Sequence, residues 1–331
     1  MPAVNSQQLV NAILDAITQS EETGLLISEV QKHPRKFVVT GPLGNLQIWV
    51  YGWTLTPGGR PQLKNEYRIQ MTSVNSPLGL NPNGPTVLIG YEPNLNMFAG
   101  FDIRLHRTFT TGSPSVQINI ESIHKALQDG LAFHQKENKE ITVAIRPDHF
   151  MTYVRNAESL HQNAKNTSTF QLLTKASSLA AVKSDDLESL TVERRRLVQT
   201  ISRISRNANF RQQVLNAYGF RCAITRMQLQ LVEAAHILPV PAPHSVDHVR
   251  NGIALSPTYH RAFDSGLIYL GADLIMRINP AKVEQLKKLS LIAGLPDFEK
   301  SLGKIHLPPD KNQWPDLSFI KRASKYRDIP F

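Results

Sequence analysis

Residues 222–268 read CAITRMQLQLVEAAHILPVPAPHSVDHVRNGIALSPTYHRAFDSGLI, and the order of polar groups in that stretch organises the whole chain. His236 stands in a short apolar run with strand character, and Asn251 opens a second such run, NGIAL, after a proline-rich loop. His260 and Asp264 follow in a helical pattern, four residues apart, so they share one face and can grip a single ion. Phosphodiester hydrolysis asks for groups of this kind. A neutral imidazole serves as general base near neutral pH, and a divalent cation absorbs the charge that builds on phosphate and leaving oxygen.

The order strand–His, loop–Asn, helix–His resembles the HNH nucleases, whose ββα-metal core has this layout. The resemblance implies that His236 is the general base, that Asn251 braces the loop between the two strands, and that His260 is the main metal ligand with Asp264 one helical turn on. The nine-residue step from Asn251 to His260 fits as well. Closer still is a restriction-type subgroup reading CAITG, AHI-x-P, NGI-x-L and HRAFD-x-G-L-I. Those blocks stand here as Cys222–Arg226, Ala235–Pro239, Asn251–Leu255 and His260–Ile268. The likeness spans residues 206–282.

Two departures matter. Many HNH domains place an acid or a histidine before the base, where it binds the metal; here that residue is Ala235. The ion would then rest on His260, Asp264, phosphate oxygens and waters, unless Glu233 or Asp247 reaches in. Arg226 occupies the usual glycine position, so a turn that needs positive φ would be strained there. Taken singly, each group has an ordinary reading: His236 as a core histidine, His260 and Asp264 as a surface pair, Asn251–Gly252 as a turn. Their joint order favours the catalytic reading. His244 and His248 match no motif position and are read as solvent or phosphate-side groups.

Composition sets outer bounds. The chain has 331 residues, which suggests two domains. Its single cysteine, Cys222, excludes an internal disulfide and a cysteine zinc cage. No apolar run approaches the ~18–20 residues of a membrane span, the first 17 residues read as an amphipathic helix rather than a signal peptide, and the expected setting is cytoplasmic. The net charge of +10 is uneven: residues 1–160 carry 13 basic and 13 acidic side chains, whereas 161–331 carry 24 and 14. The excess lies beside the candidate site, as expected for a polyanionic partner, double-stranded DNA.

The expected fold class is α+β: a mostly antiparallel sheet domain with helices at 1–160, a linker at 161–190 rich in Ser, Thr, Asn and Lys, and a ββα-metal nuclease domain with a helical extension at 191–331. Strand signals dominate from Leu25 to Thr110, Ile118–Gln135 reads as one helix, ITVAIRP as a strand, and 192–205 as a basic helix separate from the next at 209–219. Trp49, Tyr51 and Trp53 alternate on one sheet face, more often core than a stacking platform. Candidate DNA contacts are Arg261, Arg194, Arg195, Arg104, Arg107 and Trp53. The resulting expectation is a Mg²⁺- or Mn²⁺-dependent restriction-type DNA endonuclease, with sequence or modified-base specificity in residues 1–160 and a homodimer as one route to double-strand breaks. Rival readings are a defence nuclease switched on by a small ligand, and an inactive DNA-binding regulator.

Overall fold

The computed structural model describes every residue except 1, 2, 43, 60, 61, 63, 64, 111, 113, 179, 181, 330 and 331. It divides into two compact units, Met1–Ala208 and Asn209–Phe331.

The first unit opens with α1 (Ser6–Gln19), started by a capping box in which Asn5 and Gln8 satisfy each other's backbone N–H groups. Its stripe of Leu9, Val10, Ile13 and Ile17 is buried. The strands that follow are β1 (Thr23–Leu26), β2 (Arg35–Gly41), β3 (Gly44–Thr54), β4 (Thr56–Pro57), β5 (Glu66–Gln70), β6 (Thr86–Glu92) and β7 (Met97–Phe101). After the short α2 (Ile103–His106) come β8 (Ser115–Asn119), α3 (Ile120–Asp129), β9 (Leu131–Gln135), β10 (Ile141–Ile145) and α4 (Phe150–Asn163). Seven strands form one sheet in the order β1-β2-β3-β6-β7-β10-β9, antiparallel except for the β3–β6 pair, and β4-β5-β8 form a second. Alternation along β3 sends Ile48 and Val50 into the core shared with α1 and α4, and Tyr51 into the core shared with β5, β8 and α3.

Three sequence expectations need correction here. The helix expected over 118–135 is only α3, flanked by strands on both sides. Asn119 caps its start, and Gly130 ends it at φ +85°, where a Cβ would lie 2.2 Å from the His149 ring. The stretch 161–190 is not a linker. It holds α5 (Thr167–Ser177) and α6 (Ser184–Glu188), and Leu172, Leu173, Ala176 and Leu187 are buried in the first unit's core. Its polar composition hides an apolar stripe, and Asn166 caps α5 by accepting from the Thr169 N–H. The two helices expected at 192–205 and 209–219 are one, α7 (Val192–Ala217), because nothing between them breaks the helical backbone; the boundary between the units falls within it.

Two desolvated histidines, buried His161 and half-buried His33, should make the first unit acid-sensitive. Burial holds the His161 pKa down to about 4; its ring lies 2.9 Å from the Ile141 carbonyl and 3.0 Å from the Tyr153 hydroxyl. Burial, and then the neighbouring Arg35 charge, holds His33 down to about 3. In the unfolded chain both titrate near ~6.5. The unfolded state therefore binds protons first, so stability that is whole above pH ~6.5 is lost progressively as pH falls toward the folded values. The melting temperature should drop steadily from pH 7 to 4.5, with a shallower drop for His161→Gln; a flat profile over that range would contradict the linkage.

The second unit contains β11 (Glu233–His236) and β12 (Gly252–Leu255), an antiparallel pair, followed by α8 (Pro257–Asp264), which packs against both. A small β-pair, β13 (Ile268–Leu270) with β14 (Met276–Ile278), and the helices α9 (Pro280–Lys288), α10 (Leu295–Glu299) and α11 (Leu317–Tyr326) complete it. Val214, Cys222, Ala235, Ile253, Phe263 and Ile320 are among the residues of its core. Among the described residues no helix is long and apolar enough to cross a membrane.

Candidate active site

The β11–β12 pair and α8 together make a ββα unit, and each motif residue has a defined place in it. The register sets His236 opposite Gly252. A Cβ at Gly252 would fall 2.1 Å from Val214 Cγ2 and 3.1 Å from the Phe210 ring, so α7 can lie against the strand pair only if this residue is glycine. The His236 ring then stacks on Phe210, centroids 3.8 Å apart.

Asn251 is fully buried and holds the long 237–251 connection in shape. Its Oδ1 accepts from the Leu238 N–H at 2.8 Å, and its Nδ2 donates to the Val246 carbonyl at 3.0 Å and the Leu238 carbonyl at 3.3 Å. Both halves of the carboxamide are used, which no aliphatic side chain can reproduce. Arg226 adopts φ +62°, the left-handed conformation for which its motif position favours glycine, and its N–H closes the turn onto the Cys222 carbonyl at 2.9 Å.

The two imidazoles are each fixed by a carboxylate. His236 Nε2 lies 2.9 Å from Asp247 Oδ1. An ionised carboxylate only accepts, so Nε2 carries the proton and Nδ1 keeps the lone pair that a base needs. His260 Nδ1 lies 2.6 Å from Glu233 Oε2, while its Nε2 faces Asp264 Oδ2 at 3.3 Å. With Nδ1 donating to Glu233, the Nε2 lone pair and the Asp264 carboxylate are two acceptors turned toward each other. Only a proton or a cation between them resolves that opposition.

This donor set fits a hard divalent ion. His260 Nε2 and Asp264 supply nitrogen and oxygen, and Glu233 occupies the position from which a carboxylate orients a metal-binding histidine. Two protein donors leave room for waters and phosphate oxygens, as Mg²⁺ prefers. Among the described residues no group of three or more His, Cys, Asp or Glu converges to hold a metal. Glu233 contacts the ring nitrogen of His260 that is turned away from Asp264.

Phe210, stacked under His236, and Arg327 were not singled out in the sequence, while Asp247, considered there as a metal donor, faces His236 instead. The Arg327 guanidinium lies 4.7 Å over the Phe263 ring and donates to the Ile237 carbonyl at 3.0 Å. Burial pulls its pKa down and the Asp264 charge pushes it back up, so a cation is held beside α8. Arg261 is exposed on α8 and makes no ion pair among the described residues.

The other candidate DNA contacts are already engaged within the first unit. Arg104 pairs with Asp102 at 3.2 Å and Glu158 at 2.8 Å, and Arg107 donates to the Leu78 carbonyl at 2.9 Å. Arg194 donates to Asn163 Oδ1, and Arg195 to the carbonyls of Leu187 and Glu188. Trp53 is stacked on His33 at 4.3 Å and donates from its indole N–H to the Thr72 carbonyl. One face of that ring is covered, which removes it as a two-sided stacking platform.

Asp247→Asn is expected to lower the cleavage rate by about 10²-fold with little change in folding, because an amide can donate to Nε2 and stabilise the wrong tautomer of His236. A pH–rate profile checks this: loss of rate across the whole profile supports orientation of the base, and an unchanged rate would show that Asp247 is only a loop residue.

Residues 222–271 match the HNH endonuclease family, and residues 46–154 match a family described as Methylase-associated X1. HNH nucleases generally use divalent metal ions. No curated protein matches the chain. Among solved structures, one described as a modification dependent TagI restriction endonuclease is similar at 13% identity and a TM-score of 0.29, over 87% of this chain and 82% of that one. That likeness is too slight to bear on fold or function.

Proposed function

The chain carries an HNH endonuclease domain and is a nuclease, and from that premise we propose that it is a divalent-metal-dependent DNA endonuclease of restriction type, with residues 1–160 supplying sequence or modified-base specificity. The observation that carries this reading is the pairing of His236, at the end of one strand of a ββα unit, with Asp247 in the loop that follows, while the helix of that unit presents His260 and Asp264. His236 Nδ1 takes the proton from the attacking water, the new P–O bond forms, and the bond to the 3′-oxygen breaks, the departing oxyanion taking a proton from solvent water, so that 5′-phosphate and 3′-hydroxyl ends remain. Asp247 holds the base in its working tautomer and offsets the positive charge it acquires. Glu233 fixes the His260 ring. A bound Mg²⁺ or Mn²⁺ on His260 and Asp264 would supply charge stabilisation to the phosphate and the departing oxygen. Arg261 is the exposed phosphate contact.

One such site cuts one strand, so a double-strand break requires a homodimer or two successive nicks. The inactive-regulator reading is disfavoured because the base, its orienting acid and the helix donors are all retained despite Ala235. Incubating the protein with plasmid DNA, unmodified or carrying methylated bases, and with Mg²⁺ or EDTA tests the reading. Cleavage of one plasmid type only, in Mg²⁺ only, is expected; equal cleavage of both types and of unrelated sequences would remove the specificity role.

A further inference from the structure

The first unit contains a cleft of about 960 Å³ between β8 and β9. Each of these strands is the last in its sheet, so each leaves one line of backbone N–H and C=O groups without a strand partner. Six of the eleven lining residues are asparagine or glutamine. Among the described lining residues the one lysine, Lys136, is bound to Glu140 at 2.9 Å, and Glu66 and Glu137 add negative charge. Neutral amides dominate the described lining. Burial, followed by the Lys136 charge, lowers the pKa of His134, so its ring is neutral at physiological pH and offers one donor and one acceptor.

The carboxamides are held in mixed polarity. Asn65 Nδ2 donates to Glu121 at 2.8 Å and Gln117 Nε2 to Ser115 at 3.2 Å, which leaves their oxygens as acceptors. Asn119 Oδ1 accepts from the Glu121 N–H at 2.9 Å and Asn138 Oδ1 from the Glu140 N–H at 3.0 Å, which leaves their amino groups as donors. Gln135, on the edge strand itself, makes no side-chain bond among the described residues. Donors and acceptors fixed side by side are what the edge of a nucleobase requires, and amide side chains meet such edges with two bonds at once.

We propose that this cleft reads the edge of a nucleobase. The inference rests on the DNA-endonuclease reading for its biological sense, and it assigns recognition to neutral hydrogen-bonding groups in a unit where the arginines considered above are engaged internally. It also accounts for the zero net charge of residues 1–160: discrimination resides there, and bulk attraction to phosphate resides in the basic half.

The test uses the full-length protein in EDTA, so that no cleavage intervenes. Adenosine, guanosine, cytidine, thymidine and 5-methylcytidine are titrated separately while the side-chain amide resonances of the protein are followed. At least one nucleoside is expected to shift the signals of Gln117, Gln135, Asn119 and Asn138 at millimolar concentration. Gln135→Glu keeps size and shape while replacing a donor with an acceptor, and should weaken that binding about tenfold; Gln117→Leu, which leaves the backbone pairing of β8 intact, should do the same. No amide shift with any nucleoside overturns the proposal, as do equal shifts with ribose 5-phosphate, which would show a sugar-phosphate site. Concentration-dependent protection of the β8 or β9 edge amides without nucleoside would also overturn it in favour of strand addition by a protein. Nucleoside binding by a protein that never cleaves DNA would sink the nuclease reading alone; cleavage without any amide shift would sink this proposal alone.

Discussion

His236→Ala should cut DNA at least ~10²-fold more slowly than the parent protein while binding DNA with nearly the same affinity. The motivation is geometric: Asp247 holds the Nε2 proton, Phe210 supports the ring, and Nδ1 is left as the acceptor. Single-turnover nicking of supercoiled plasmid gives the rate, and binding to a labelled duplex in EDTA gives the affinity. The side chain is only partly buried, so its removal should leave the fold intact. A variant that cuts at the parental rate would show that another group activates water.

Metal dependence should be as steep. Activity is expected to vanish in EDTA and to return with Mg²⁺ or Mn²⁺, and His260→Ala should abolish turnover at any concentration of either ion. Asp264→Ala should demand far more metal. Glu233→Gln should weaken apparent metal affinity by about 10–100-fold, the usual effect of losing a carboxylate that orients a ligand histidine. The readout is the metal concentration at half-maximal rate. If Asp264→Ala titrated as the parent does while Glu233→Gln lost all activity, Glu233 would be the ligand and the assignment on α8 would be wrong.

The nuclease half was the more legible in sequence, for a local reason. The blocks from Cys222 to Ile268 place a strand, a brace, a second strand and a helix in one short segment, so spacing alone carries most of the ββα layout. The strained Arg226 turn could be anticipated from the missing glycine, and φ +62° is what the structure has there. Contacts made across greater sequence distance were not legible. Asp247 sits in the irregular HSVDH loop with no periodic signal, and it meets His236 only after Asn251 has folded the connection. Arg327 reaches Ile237 from 90 residues away.

The first unit was harder for the same reason. The 118–135 stretch has a helical apolar spacing at its centre, and that signal overran the two edge strands that tertiary pairing imposes on β8 and β9. In 161–190 the polar composition outweighed the few buried leucines. The cleft between those edge strands could not have been read from the sequence at all, because its amides come from segments that only the two sheets bring together.

The most direct test of the account is supercoiled plasmid incubated with the full-length protein and Mg²⁺, with the ends of the products then determined. The account predicts nicked or linear DNA bearing 5′-phosphate and 3′-hydroxyl ends, no products in EDTA, and none above background from His236→Ala over the same interval. Cleavage that persists in EDTA and in His236→Ala alike would contradict it.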